Sequence, residues 1–162
     1  MNWIKILQDE WNHELANTKK ILLALPANFD WKPHEKSMSL GRLATHVAEI
    51  AEWMYVTLET KELDFSKGYN PNVCATPADV LALFEKMSAK SVDAIQKMTE
   101  ETLQENWTLR NGEQVYFTMP KFLVLRQFVI SHLVHHRAQL GVYIRMQNVP
   151  LPGTYGPSAD ES

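Results

Sequence analysis

Six histidines stand in this sequence, and three of them have the placing of a metal site. His132 and His136 lie four residues apart in a segment with helical periodicity. Residues so spaced sit about 40° apart around a helix axis and one turn along it, so the two imidazoles point the same way. His135, about 100° from His136, points elsewhere. Phe122, Leu125, Val129, His132, His136, Leu140 and Tyr143 follow in steps of three and four, which predicts that both rings lie on the inward stripe of their helix. A buried imidazole needs partners for both nitrogens, and each orphan costs on the order of 1–3 kcal/mol. One divalent ion shared by the pair meets that need, and a histidine pair at i and i+4 is a metal-binding spacing.

Two ligands rarely hold a catalytic divalent ion, whereas three leave positions open for water or substrate. His46, in Leu43-Ala44-Thr45-His46-Val47, is the best third candidate, with Glu49 and Glu52 one to two turns on. A lone histidine on an apolar stripe is more often a hydrogen-bonded core residue than a ligand. That reading stays open for His46 alone, and for the pair alone it weighs about as much as metal. The joint placement on two helices shifts the weight toward metal. His13 and His34 have no partner pattern and read as surface residues. Arg137 could neutralise an anionic substrate or pair with a carboxylate such as Glu49, and an exposed or interhelical ion pair is the simpler reading. Cys74 is the only cysteine. It permits no disulfide within the chain, and nothing beside it in the sequence lowers its pKa, so it reads as a small loop residue.

Four helical patterns must position these groups. The first spans about Trp3 to Leu25 and stops at Pro26. The second starts at Ser37 or Ser39 and fails past Thr60. The third has the clearest opening, with Thr76 as N-cap, Pro77 at the first turn and Asp79 as an N-terminal carboxylate. Asn111-Gly112, between Thr108/Leu109 and Val115/Tyr116/Phe117, signals a hairpin. Pro120 is expected to open the fourth helix, capped by Thr118 or Met119, and to run to about Gln147. Four helices of about 20 residues predict an all-α four-helix bundle with a short β-ribbon between the third and fourth helices. The prolines and glycines after Asn148 make 151–162 a coil tail. That tail is expected to pack on the bundle or on a partner subunit, near the end of the fourth helix.

The chain of 162 residues fits one domain, 1–162. Its net charge of −3 offers phosphates no electrostatic footprint, so nucleic acid is not an expected partner. No apolar run approaches the roughly 20 residues needed to span a bilayer. No secretory leader is recognisable, and the expected location is the cytoplasm.

The run from Met119 through Ser131-His132-Leu-Val-His135-His136-Arg-Ala-Gln-Leu to Arg145 resembles the DinB/YfiT-like family. So do the ending Tyr155-Gly-Pro-Ser-Ala-Asp160-Glu161 and the earlier Leu43-Ala-Thr-His46. The resemblance covers nearly the whole chain. It implies an up-down-down-up bundle, often a homodimer, with a divalent metal ion, zinc or nickel, on His46, His132 and His136. His135 matches a recurrent residue outside the ligand set. Better understood relatives are thiol transferases that join low-molecular-weight thiols to electrophiles, so the resemblance implies a small-molecule substrate such as a thiol. A non-catalytic metal-binding stress-response bundle and a metal-dependent hydrolase are the alternatives. Ser131, Ala138 and Lys121 depart from residues common in that family, and none of the three is a ligand position.

Overall fold

The computed structural model describes residues 2–161. Helix α1 (Trp3–Leu23) opens on Asn2, whose side chain accepts the Lys5 amide. Helix α2 (Leu40–Glu59) opens on Ser39, which caps the Arg42 amide. Helix α3 (Pro77–Lys97) carries the expected Thr76/Asp79 capping box. A last helical stretch begins as α5 (Lys121–Leu123), passes through a π-helical segment (Val124–Ile130) and continues as α6 (Ser131–Met146). Between α3 and this stretch lie a short helix α4 (Glu100–Gln104) and strands β2 (Asn106–Asn111) and β3 (Gln114–Pro120).

The long helices run up-down-down-up, and the cross-links between them show it. Gln8 reaches the Ile95 carbonyl and Lys19 reaches Glu85, so α1 and α3 are antiparallel. Glu10 pairs with Arg126 and Glu14 with Arg137, so α1 and the last helix are parallel. Lys121 meets Leu58 while His132 meets His46, so the last helix opposes α2. Helices α2 and α3 must then point the same way. An antiparallel pair can close through a short turn, but a parallel pair needs a connection that travels back along the bundle. Residues 60–76 are that crossover. They contain strand β1 (Glu62–Asp64) and one 3₁₀ turn (Phe65–Lys67), then run without regular structure to Thr76.

The hairpin expected at Asn111-Gly112 is present, with Asn111 opposite Gln114. The sheet is larger than a ribbon, because β1 adds parallel to β2 and pairs Glu62 with Thr108. Its three residues are too few to carry a strand period in sequence, and β2 supplies the template. Pro120 was expected inside the first turn of the last helix. It instead ends β3, and the helix begins at Lys121 with no side-chain cap. Buried Lys121 donates to the Leu58 carbonyl at 2.7 Å and pairs with Glu105 at 2.9 Å. A lysine on a late carbonyl of α2 complements the negative end of that helix.

One apolar core joins all four helices, with Leu7, Trp11, Leu43, Ile50, Met54, Ile95, Leu125, Leu133 and Leu140 fully buried. Gly41 admits Phe29 against the start of α2, where a Cβ would lie 2.7 Å from the Phe29 ring. The buried positions of the last helical stretch are Lys121, Val124, Leu125, Val129, Ile130, Leu133, Arg137, Leu140 and Ile144. The sequence stripe through His132 and His136 assumed regular α-helix. Past the π-helical turn, which holds an extra residue, Leu133, Arg137 and Ile144 are buried in place of His132, His136 and Tyr143, while Leu140 keeps its place. His132 and His136 therefore flank the core as half-buried residues, and Arg137 takes the central position.

The tail 151–161 has no helix or strand, yet it is docked on the bundle. The Tyr155 hydroxyl donates to Glu14 at 2.8 Å, and Asp160 pairs with Arg145 at 2.6 Å. No helix among the described residues is long and apolar enough to cross a membrane.

Candidate metal centre

His46 comes from the second turn of α2, and His132 and His136 come from α6 just past the π-helical segment. That widened turn places both α6 histidines beside the core centre, half-buried. One nitrogen from each of the three residues lies within 4.8 Å of the other two. Nε2 of His46 and Nε2 of His132 are 3.3 Å apart. Two nitrogens bound at roughly 2.0–2.1 Å on a tetrahedral ion stand about 3.3 Å apart, so this spacing fits two ligands of one ion. The ring centroids are 5.1 Å apart for His46 and His132, 4.7 Å for His46 and His136, and 4.6 Å for His132 and His136.

An outward hydrogen bond marks the free nitrogen of one ring, His136. His136 Nδ1 meets the Gln139 side-chain oxygen at 2.8 Å, leaving Nε2 for a ligand. His46 Nδ1 is 3.6 Å from a Glu49 carboxylate oxygen, longer than a hydrogen bond but directed at it. A carboxylate behind a ligating histidine sets its tautomer and aims the other nitrogen at the metal. His132 Nδ1 is buried with no hydrogen-bond partner among the described residues.

The electrostatics favour cation binding. Burial, then the neighbouring His136 and His46, push His132 down to about 3. Burial also lowers His136. Both rings are therefore neutral near pH 7, the form that ligates a metal. Burial raises the Glu49 carboxyl, but His46, Arg42 and Asn72 outweigh it and hold the group at about 2. A fixed negative charge thus stands one residue behind the histidines. Trp53 and Phe128 stack at 4.9 Å and form an aromatic wall, with His132 5.1 Å from Trp53 and 5.5 Å from Phe128.

The other polar residues separate clearly from this cluster. His135 is exposed and touches His136 only at ring distance, 4.8 Å. His13 bonds Asn17 and lies 6.0 Å from the Tyr155 ring, while His34 caps a local turn at Lys36. Glu52 faces outward to Lys90 at 2.5 Å. Arg137 forms an interhelical ion pair, but its carboxylate is Glu14 at 2.6 Å and not Glu49. Glu49 pairs with Arg42 at 2.8 Å. Cys74 is a half-buried loop residue whose thiol burial pushes up, away from nucleophilic use. Sequence reasoning missed Arg42, Tyr69 and Asn72 around Glu49. The i, i+7 spacing of Arg42 and Glu49 was the one signal available, since it places both on one helix face.

Fold and site together define a helical-bundle protein with a three-histidine candidate metal centre. The chain belongs to the DinB family, whose pattern matches residues 4–162. It is 30% identical to the uncharacterized Bacillus subtilis protein YrdA over 154 residues, 93% of this chain and 87% of that protein. The uncharacterized Bacillus subtilis protein YjoA is 28% identical over 126 residues, 77% of this chain and 78% of YjoA. A solved DinB-like protein from Bacillus cereus superposes with a TM-score of 0.72 at 23% identity, covering 92% of this chain and 95% of that one. The solved structure of YjoA gives a TM-score of 0.69 at 19% identity, covering 91% of this chain and 96% of that one. These two structural likenesses speak for the fold.

Proposed function

We propose that this protein binds one divalent ion, zinc or nickel, on His46, His132 and His136, and acts as a metal-dependent thiol S-transferase. The observation that carries the metal reading is the 3.3 Å approach of two imidazole nitrogens, with a third imidazole inside the same 4.8 Å cluster. A bound ion would supply Lewis acidity that lowers the pKa of a small thiol. The protein's own residues do the rest. The three imidazoles hold the centre and leave a position open. Glu49 orients His46. Trp53 and Phe128 exclude water beside His132, which strengthens electrostatic interactions there. No protein nucleophile is required, in keeping with the raised thiol of Cys74. In the transfer, the thiol sulfur bonds to the electrophilic carbon. The thiol proton passes to solvent, and the leaving group departs with its bonding pair.

The test starts from metal analysis of tag-free protein, with about one divalent ion per chain expected. Thiol consumption is then followed with a panel of low-molecular-weight thiols and electrophiles. Turnover that requires metal and disappears in His132→Ala supports the transferase. Stoichiometric metal without turnover would assign a metal-binding, non-catalytic bundle. Metal-dependent hydrolysis of esters or amides, with no thiol consumed, would replace transfer by hydrolysis.

A further inference from the structure

We infer that Glu49 is a positioning residue that couples the crossover segment 68–75 to the metal centre, so that metal binding and closure of this strap support one another. The inference rests on the metal reading above. The up-down-down-up topology sends the chain back along the bundle after α2, and this return path meets Glu49, the carboxylate nearest His46. Gly68 turns the chain with φ +96, and residues 69–73 are then exposed and without regular structure. Such a run has little to hold it. Between residues 69 and 74, the one backbone group bonded to the body of the domain is the Asn72 amide. It donates to Glu49 Oε1 at 2.6 Å. The Asn72 side chain adds a second bond to the same oxygen at 3.1 Å. The Tyr69 hydroxyl donates to Oε2 at 3.4 Å.

The same carboxylate faces the candidate ligand. Oε2 accepts from Arg42 at 2.8 Å and lies 3.6 Å from His46 Nδ1. Glu49 is buried and its two oxygens are divided between strap, arginine and histidine. A metal on His46 Nε2 makes the Nδ1–H a stronger donor and draws it toward Oε2. That fixes the carboxylate in the orientation that receives Asn72. Conversely, an ordered strap holds the carboxylate behind His46 before the metal arrives. Coupling of this kind is reciprocal, so the factor by which metal tightens the strap is the factor by which the strap tightens metal. The strap then acts on the site through Glu49, which touches neither substrate nor reacting atoms.

The experiment combines zinc affinity, measured by competition with a chromophoric chelator, with hydrogen–deuterium exchange of segment 68–76 in metal-free and zinc-loaded full-length protein. In the wild type, zinc should slow exchange in the segment. Glu49→Gln should raise the zinc Kd roughly 10–100-fold, the usual cost of losing a group that orients a ligand. It should also remove the zinc-induced slowing. Asn72→Pro removes both Asn72 donors on an exposed segment and keeps the question answerable should Glu49→Gln fail to fold. It should raise the zinc Kd at least about fivefold, at the lower end of ordinary coupling, although residue 72 touches no histidine. A merely structural role for Glu49 would change exchange without moving the zinc Kd of Asn72→Pro. An unchanged zinc Kd in both variants, or zinc protection that persists in Glu49→Gln, overturns the inference. Wild-type protein that binds neither zinc nor nickel overturns the metal reading and the coupling with it. The metal-free exchange of Glu49→Gln and Asn72→Pro then still decides whether Glu49 clamps the strap.

Discussion

Adjacent residues of α6 serve two polar clusters built to opposite ends. Arg137 enters the core and every contact there is answered. It pairs with Glu14 at 2.6 Å, donates to the Glu14 carbonyl at 3.0 Å and Thr18 at 3.2 Å, and bonds the Tyr155 hydroxyl. The Tyr155 ring also lies over its guanidinium, 5.2 Å from the centroid. His136, one residue earlier, belongs to a cluster left half open. Its three rings crowd together, and the Nδ1 atoms of His46 and His132 have no hydrogen-bond partner among the described residues. A buried charge with full pairing has no free capacity for a ligand, whereas clustered imidazoles facing one another leave capacity for a cation. The difference separates a structural polar cluster from a functional one on the same helix.

The sharpest way to break this contrast is Arg137→Ala. It strands Glu14 in the core and should cost about 3–5 kcal/mol in urea denaturation. His132→Ala in metal-free protein should cost roughly 1 kcal/mol or less, because it removes a group whose buried nitrogen lacks a partner. Equal losses from the two variants would erase the distinction.

Metal content separates the clusters in the reverse sense. His46→Ala, His132→Ala and His136→Ala should each lose the ion, while His135→Ala and a folded Arg137 variant such as Arg137→Lys should retain it. Elemental analysis reads the result, and loss from His135→Ala equal to the others would show that the facing argument fails. Chelation of loaded wild-type protein should lower the melting temperature without unfolding it, since ligand binding to the native state adds stability by mass action over a core that stands without it. Complete unfolding on chelation would mean a structural rather than an open site.

Truncation after Asn148 should remove the Tyr155 and Asp160 contacts and destabilise the Arg137 cluster, while leaving metal content intact. The part due to the hydroxyl, read from Tyr155→Phe, should be about 1–2 kcal/mol. An unchanged melting temperature on truncation would return the tail to a passive role. The smallest effect is at high pH. Burial, then the Glu14 hydrogen bond, raises the Tyr155 phenol above its usual range. The folded state therefore keeps a proton that the unfolded chain releases near pH 10. Stability from this contact is present below about pH 10 and lost as pH rises further. Wild type and Tyr155→Phe should converge in stability there, and parallel pH profiles would refute the assignment.

Much of this was legible in sequence because it depends on local chemistry. Thr76-Pro77-Ala-Asp79 caps α3 through atoms within one turn, and the hairpin signalled at Asn111-Gly112 turns through Gly112 at φ +58 and Glu113, with Asn111 ending its strand opposite Gln114. Both appear as expected. The approach of His46 to His132 was partly legible, since periodicity set His132 on the inward stripe and His46 at the edge of its own, and the family resemblance joined the two. Strand β1 was not legible, since three residues become a strand only when β2 lies alongside. The π-helical turn at Val124–Ile130 was not legible either, because its residues are ordinary helix formers. Ser131, whose hydroxyl donates to the Arg126 carbonyl five residues back, carries no such signal by type.

The sequence by itself determined the four helices, the caps at Ser39 and Thr76, the hairpin and the shared direction of His132 and His136, with His46 as the third candidate. These follow from spacing, and spacing is a property of the chain. Only the tertiary structure decided that the π-helical turn moves the α6 histidines to the edge of the core and brings Arg137 to its centre. It alone chose Glu14 over Glu49 as the partner of Arg137, and brought Asn72 from the crossover onto Glu49. Those outcomes depend on groups far apart in sequence, whose meeting is fixed by how parallel α2 and α3 must be connected and by which buried charges can be paired.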